Sequence, residues 1–282
     1  VDTSLAPTGE LQDVQLYENL IIVQPGQIAS EGHGIEIYGP GHEKALAKKT
    51  VIRNCIIDFS HIPHDRQDEA LVGIYGAQVT VEDSVIIGSI KAMLCGNGDY
   101  PSIDREFGEW NLNRVLFLGC GRRCPEAQDG VRVTMNQCII ENWGEAFDVR
   151  AFGAWAHSGA SIVAKDCIFA QRTPIFSNVG RFLVDIGNHF GEAWNDRPSP
   201  FIDYVLPGTM RGAAESANGT IQLESCYSTS SFTRLQNHKN PRTSKDEGKA
   251  LLKTILAAYV RNPRFCAEVY RRAEDSILFK GL

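Results

Sequence analysis

The sequence has no uninterrupted apolar run near the roughly 20 residues that a bilayer-spanning helix needs. Its most apolar late stretch, "LLKTILAAYV" (251–260), is short and broken by Lys253. A basic excess is lacking too: 28 Lys and Arg stand against 34 Asp and Glu, with a pI near 5.7. Non-specific nucleic-acid binding needs a broad basic face and is disfavoured. Eight cysteines in 282 residues are too sparse for a disulfide scaffold. No C-x-x-C pair occurs, and Cys120 and Cys124 have no matching His/Cys pair, so the spacing of a zinc site is absent. His33, His61 and His64 show no metal spacing either and read as surface histidines. Helical periodicity is missing from residues 14–230. The first residue is Val1 and not Met, as expected of a processed or trimmed product.

What the sequence does contain is a core-forming composition and a repeat. Hydrophobic residues make up 43% and charged residues 22%, enough for one large core or two modest ones and too apolar for disorder. The segments "VIRNCIID" (51–58), "VTVEDSVII" (79–87), "WNLNRVLFL" (110–118), "VTMNQCIIE" (133–141), "SIVAKDCIF" (161–169) and "TIQLESCYS" (220–228) resemble one another, with "VQLYENLII" (14–22) as an earlier copy. Each alternates apolar residues, then places a polar residue, then Cys, Ser or Val, then further β-formers. The equivalent positions Leu20, Cys55, Ser84, Val115, Cys138, Cys167 and Cys226 are separated by 35, 29, 31, 23, 29 and 59 residues. The last interval, about two ordinary steps, predicts one diverged coil between residues 170 and 220. A period of roughly 20–35 residues with short strands predicts a solenoid, and a parallel β-helix above the rival β-sandwich. Cys55, Cys138, Cys167 and Cys226 are then inward-facing small rungs rather than disulfide partners.

The last forty residues change character. "SKDE" (244–247) is a capping box, and Leu251, Leu252, Ile255, Leu256 and Tyr259 follow at helical spacing. Asn262-Pro263 starts a second helix with Phe265, Cys266, Val269, Tyr270 and Ala273 on its apolar face. The expected organisation is a β-helix domain over residues 1–242 and a C-terminal helical extension over 243–282 that covers the side or last coil.

"GRRCPEAQDG" (121–130) sets two arginines on a tight loop of a chain whose net charge is -6. With a β-helix expected, this loop gains a context. "IKAMLCG" (90–96), "RCPEAQDGVRVTMNQ" (123–137), "ENWGEAFDVRAF" (141–152) and "GHGIEIYG" (32–39) stand in the order and spacing of segments of the pectate lyase family, which the chain resembles over about residues 17–178. That family consists of right-handed parallel β-helix enzymes that cleave polygalacturonate by β-elimination. The resemblance implies that Lys91 holds the uronate carboxylate and that Arg123 is the base. Arg122, Arg114, Arg132 and Gln128 are assigned to substrate binding, with Arg150 as a further cation. Departures accompany the match: Gln128 replaces the second family arginine, and Val133 the family histidine. Residues 51–54 replace its W-I-D-H stretch. Calcium is implied as cofactor, with Asp68 or Glu69 matching one acidic ligand, while His33 stands in place of another acid and Val72 or Gly73 in place of a third.

The chemistry explains why cations matter. Removing the C5 proton of a uronate builds negative charge beside an existing carboxylate, so metal, Lys or Arg must neutralise it. Lys91 and Arg123 are 32 residues apart, close to one repeat step, which places both on one face of neighbouring coils. An ordinary guanidinium holds its proton far above neutral pH, so proton removal by Arg123 needs help from a neighbour such as Arg122, or water carries the proton. The leading expectation is a secreted, monomeric polysaccharide lyase acting on an anionic, pectate-like polymer, with no nucleic-acid or membrane partner. The alternative is a non-catalytic β-helix that binds acidic glycan, such as an adhesin or tailspike-like module. A glycoside hydrolase is a third reading and needs a carboxylate pair, for which Asp58 and Asp148 are candidates.

Overall fold

The structure is a computed structural model that describes residues 11–23, 32–40, 42–62, 67, 69–96, 108–121, 123–141, 154–156, 159–170, 184–185, 220–228, 233–235 and 245–272. Its strands form three sheets, and each sheet receives one strand in turn as the chain advances. The first sheet holds β1 (Gln12–Glu18), β4 (Ala47–Arg53), β7 (Gln78–Glu82), β10 (Glu109–Asn113), β13 (Arg132–Asn136), β16 (Ser161–Lys165) and β19 (Thr220–Glu224). The second holds β2 (Ile21–Val23), β5 (Ile56–Asp58), β8 (Val85–Ile87), β11 (Leu116–Leu118), β14 (Ile139–Glu141), β17 (Ile168–Ala170), β20 (Cys226–Ser228) and β21 (Thr233–Leu235). The third holds β3 (Ile35–Tyr38), β6 (Glu69–Ile74), β9 (Lys91–Cys95), β12 (Glu126–Ala127), β15 (Ala154–Ala156) and β18 (Val184–Asp185). The described pairings are parallel except for β20 with β21. The architecture is consistent with a parallel β-helix.

The repeats seen in the sequence are this ladder. Val51 pairs with Thr80, Thr80 with Asn111, Asn111 with Thr134 and Thr134 with Val163, so the repeat intervals are the sheet register. One expectation needs correction. Ser161 pairs directly with Thr220, so the long interval before residue 220 is a single step of the first sheet and not a diverged coil.

Alternation fixes the faces. In the first sheet Val79 and Val81, Trp110 and Leu112, and Val133 and Met135 are buried, while their neighbours are not. The polar residue that closes each first-sheet strand is the turn itself. Asn19, Asn54, Asp83, Arg114, Gln137, Asp166 and Ser225 all have φ between 48° and 57°, a left-handed conformation that Asn and Asp tolerate better than most residues. After the first rung, where Leu20 is exposed, the next residue points inward: Cys55, Val115, Cys138, Cys167 and Cys226 are at most 1% exposed. All eight cysteines are free thiols. Several thiols donate to backbone carbonyls, as Cys138 does to Leu112 at 3.4 Å and Cys226 to Ala164 at 3.2 Å.

Second-sheet strands are apolar on both sides because both sides are covered. Ile57, Ile86, Phe117, Ile140 and Phe169 enter the interior core. Ile56, Val85, Ile87, Leu116, Leu118, Ile139 and Ile168 face outward and pack against α1 (Lys245–Val260) and α2 (Pro263–Arg272) through Ile255, Leu256, Tyr259 and Val269. Each such side chain removed from water contributes about 1.5–3 kcal/mol. Asn262 caps α2, its Oδ1 accepting the Phe265 N–H at 3.2 Å. Tyr259 donates its hydroxyl to the Arg114 carbonyl, which ties α1 to the turn ladder.

Candidate functional site

The corner between the second and third sheets carries a row of ionisable side chains. His33 lies just before β3, Glu69 and Lys91 open β6 and β9, and Arg123 lies just before β12, on four successive strands of the third sheet. Glu69 and Lys91 are direct register partners. Arg123 is held by a backbone bond, the Met93 N–H donating to its carbonyl at 2.8 Å. Its φ of 60° puts a non-glycine residue in the left-handed region, a costly conformation that clusters at functional positions.

Glu69 is the hub. The Arg123 Nη1 donates to its Oε1, the Lys91 Nζ lies 3.9 Å from the same oxygen, and the His33 Nδ1 lies 3.5 Å from Oε2. The Arg123 Nε is also 2.6 Å from the Glu126 Oε2, an ion pair that lacks hydrogen-bond alignment. Exposure separates the two kinds of group. The Glu69 and Glu126 side chains are 5% and 3% exposed, whereas His33, Lys91 and Arg123 are 27%, 23% and 19% exposed. Buried carboxylates therefore anchor nitrogen-bearing groups that reach the surface. Arg123 Nη2 makes no hydrogen bond among the described residues, so the guanidinium keeps donors beyond its carboxylate partners.

The structure thus brings Lys91 and Arg123 together. Gln128 follows directly after β12; its N–H donates to the Cys95 carbonyl at 2.9 Å and its side chain packs beside Gly96. Arg114 lies elsewhere, at the corner between the first and second sheets, where its Nε and Nη2 donate to the Asp83 carboxylate at 2.5 and 2.9 Å. With Asn54, Asp83, Gln137 and Arg261 it borders a cleft of about 430 Å³ between the turn ladder and the helices. Arg132 is exposed at the start of β13, in the first sheet. Neither Arg114 nor Arg132 joins the Lys91–Arg123 row. Arg122, Arg150, Asp68, Asp148 and His64 lie outside the described residues.

Three sequence readings change. His33 is not a lone surface histidine but the neighbour of Glu69. Asp58 is no hydrolytic carboxylate: it is buried in the second sheet, with the Arg272 Nη1 donating to it at 2.6 Å. The Glu69 carboxylate faces the cations of Arg123 and Lys91, whose charges disfavour a dication at the same oxygens. Sequence reasoning missed Glu126, the second anchor of Arg123. Its place three residues after Arg123 was the available signal. It also missed a stack on the same sheet, where the His42 ring lies 4.4 Å from that of Tyr38 and 4.3 Å from that of Tyr75.

Neither family models nor characterised proteins match the chain. Among the described residues no helix is long and apolar enough to cross a membrane.

Proposed function

We propose that the three sheets wind as a right-handed parallel β-helix and that the protein is a polysaccharide lyase, cleaving a uronate-containing polymer of the pectate type by β-elimination. The observation that carries this reading is the convergence of Lys91 and Arg123 on Glu69. Lys91, at 3.9 Å from its carboxylate and partly exposed, sets an ammonium beside Arg123 where a uronate carboxylate would meet both. Arg123, fixed between two buried acids, offers its remaining donors to the charge that builds at C5 and C6 as the proton leaves. Secretion and a monomeric state belong to the same proposal, since an extended polymer must reach an open face. No step needs a metal at Glu69. Polygalacturonate, pectin and alginate, each with and without chelator, test the reading through the ultraviolet absorbance of unsaturated ends. Absorbance from at least one polymer that is lost in Lys91→Ala and Arg123→Lys supports it. New reducing ends without absorbance select hydrolysis.

The clamped geometry of Arg123 also favours a second reading, an acidic-glycan-binding β-helix without chemistry. A guanidinium held by two carboxylates is a rigid anion rest. Retention of polygalacturonate with neither absorbance nor new ends selects this alternative.

A further inference from the structure

We propose that the cleft between the turn ladder and α1 is a second binding site, which takes a short acidic oligosaccharide; it lies apart from the Lys91–Arg123 row and does not rest on the lyase reading. One wall of the cleft is built by the left-handed turns. Asn54, Asp83, Arg114 and Gln137 hold the same turn position on four successive rungs, with φ of 52°, 48°, 53° and 55°. Their N–H groups donate to the Glu82, Asn113, Asn136 and Lys165 carbonyls of the following rung at 2.8–3.2 Å. One backbone geometry, repeated four times, sets four side chains in a column with a spacing of about 4.8 Å.

The column has an order. At its centre Arg114 Nε and Nη2 hold the two Asp83 oxygens at 2.5 and 2.9 Å, both side chains being 29% exposed. That pair is neutral as a unit and leaves the Arg114 Nη1 as a donor. An amide stands on each side of it, Asn54 one rung before Asp83 and Gln137 one rung after Arg114. Neither amide makes a side-chain hydrogen bond among the described residues, and Arg261 on the helical wall makes neither a hydrogen bond nor an ion pair there. All three nevertheless border the same space of about 430 Å³. The helical wall is fixed to the column, because the Tyr259 hydroxyl donates to the Arg114 carbonyl two residues before Arg261.

These groups define the ligand. An amide both donates and accepts, as a sugar hydroxyl does. Arg261 adds a positive charge that no described residue of the lining balances, since Asp83 is taken by Arg114, and a guanidinium fork matches a carboxylate. Thr254, Ala258 and Asn262 complete the described lining, so it offers no aromatic or large apolar face to a nucleobase or an acyl chain. The two amides stand three rungs apart, about 14 Å, which is more than one pyranose ring covers. The match is therefore a chain of two or three sugars, with hydroxyls on the amides and a carboxylate at Arg261.

Calorimetric titration with trigalacturonate tests the site. The full chain carries Lys91→Ala, which weakens the other anion-binding row and, on the lyase reading, prevents turnover during the titration. Trigalacturonate is expected to bind, with maltotriose and acetate each at least about tenfold weaker. Adding Arg261→Ala is expected to weaken trigalacturonate by about tenfold or more, Arg261→Lys by less, and Gln137→Ala by several-fold. Arg261 is exposed, so its replacement leaves the fold in place. No binding of trigalacturonate, acetate that binds as tightly, or full affinity in the Arg261→Ala chain overturns the proposal.

Discussion

Arg272, in the last turn of α2, donates its Nη1 to the Asp58 carboxylate of β5 at 2.6 Å, across 214 residues of chain. The pair closes one edge of the apolar layer between the helices and the second sheet. Burial alone would raise the Asp58 pKa. Hydrogen bonds from Ser60 and Arg272 outweigh it and hold the carboxyl below its ordinary value. A depressed acid contributes stability that is full above the unfolded-state value and lost as pH falls through the folded-state one. Asp58→Asn is therefore expected to melt below the wild type at pH 7, and the gap is expected to close below about pH 4. Arg272→Ala, which strands a buried charge, should cost about 3 kcal/mol at pH 7. Thermal melts across pH 3–7 check both.

Gly73 lies under the ring of Trp110. A Cβ built on Gly73 falls well inside contact distance of the indole, and Trp110 is fully buried in the core shared by the three sheets. Gly73→Ala should destabilise by about 1–3 kcal/mol through overpacking. Urea unfolding measures it, and pairing the change with Trp110→Phe should recover part of the loss.

Burial pushes the thiols of Cys95, Cys124 and Cys167 well above their ordinary range. Seven of the eight cysteines are buried, and Cys266 on α2 is the exception. Alkylation of the native protein at neutral pH should stop at one label per chain, on Cys266, and reach eight in denaturant. Early labelling of Cys138 or Cys167 would contradict the inward packing.

Arg123 serves two buried acids at once. Arg123→Ala leaves Glu69 and Glu126 without their main cation and should lower stability by about 3–5 kcal/mol. Arg123→Lys keeps a charge but loses the fork and should cost less. Lys91→Ala, whose contact to Glu69 is longer and more exposed, should change the melting temperature less and, on the lyase reading proposed above, abolish elimination. Calorimetry beside the absorbance assay separates the structural share of each cation from its chemical one.

The ladder was legible because its physics is local. Period-two burial marks Val79–Val81 and Val133–Met135, and a left-handed turn selects Asn54, Asp83 and Asp166 just before an inward small residue. The helical pair was legible from capping and apolar spacing, as the Asn262 cap bears out. The long step to residue 220 was misread because a sequence interval does not distinguish an extra rung from a long connection. Lys91 and Arg123 could be placed on one face from their spacing. That Glu69 and Glu126 would anchor them, and that His33 would join them, depends on which side chains meet across strands, and no single stretch encodes this. Where Arg114 lies was hidden for the same reason: its partner is Asp83, one rung away on the corner between the first and second sheets.

The corner between the first and second sheets is crossed by two residues at each rung, or one at the last, whereas the corner leading to the third sheet takes three to thirteen. The invariant corner adjoins the sheet that carries the helical cover; the elastic one carries His33, Glu69, Lys91 and Arg123. Insertions and deletions at the elastic corner can reshape what the molecule grips without shifting a single rung. Any length change at the other corner would throw every following layer out of phase. Divergence in specificity and retention of fold are thus assigned to separate edges of the same stack.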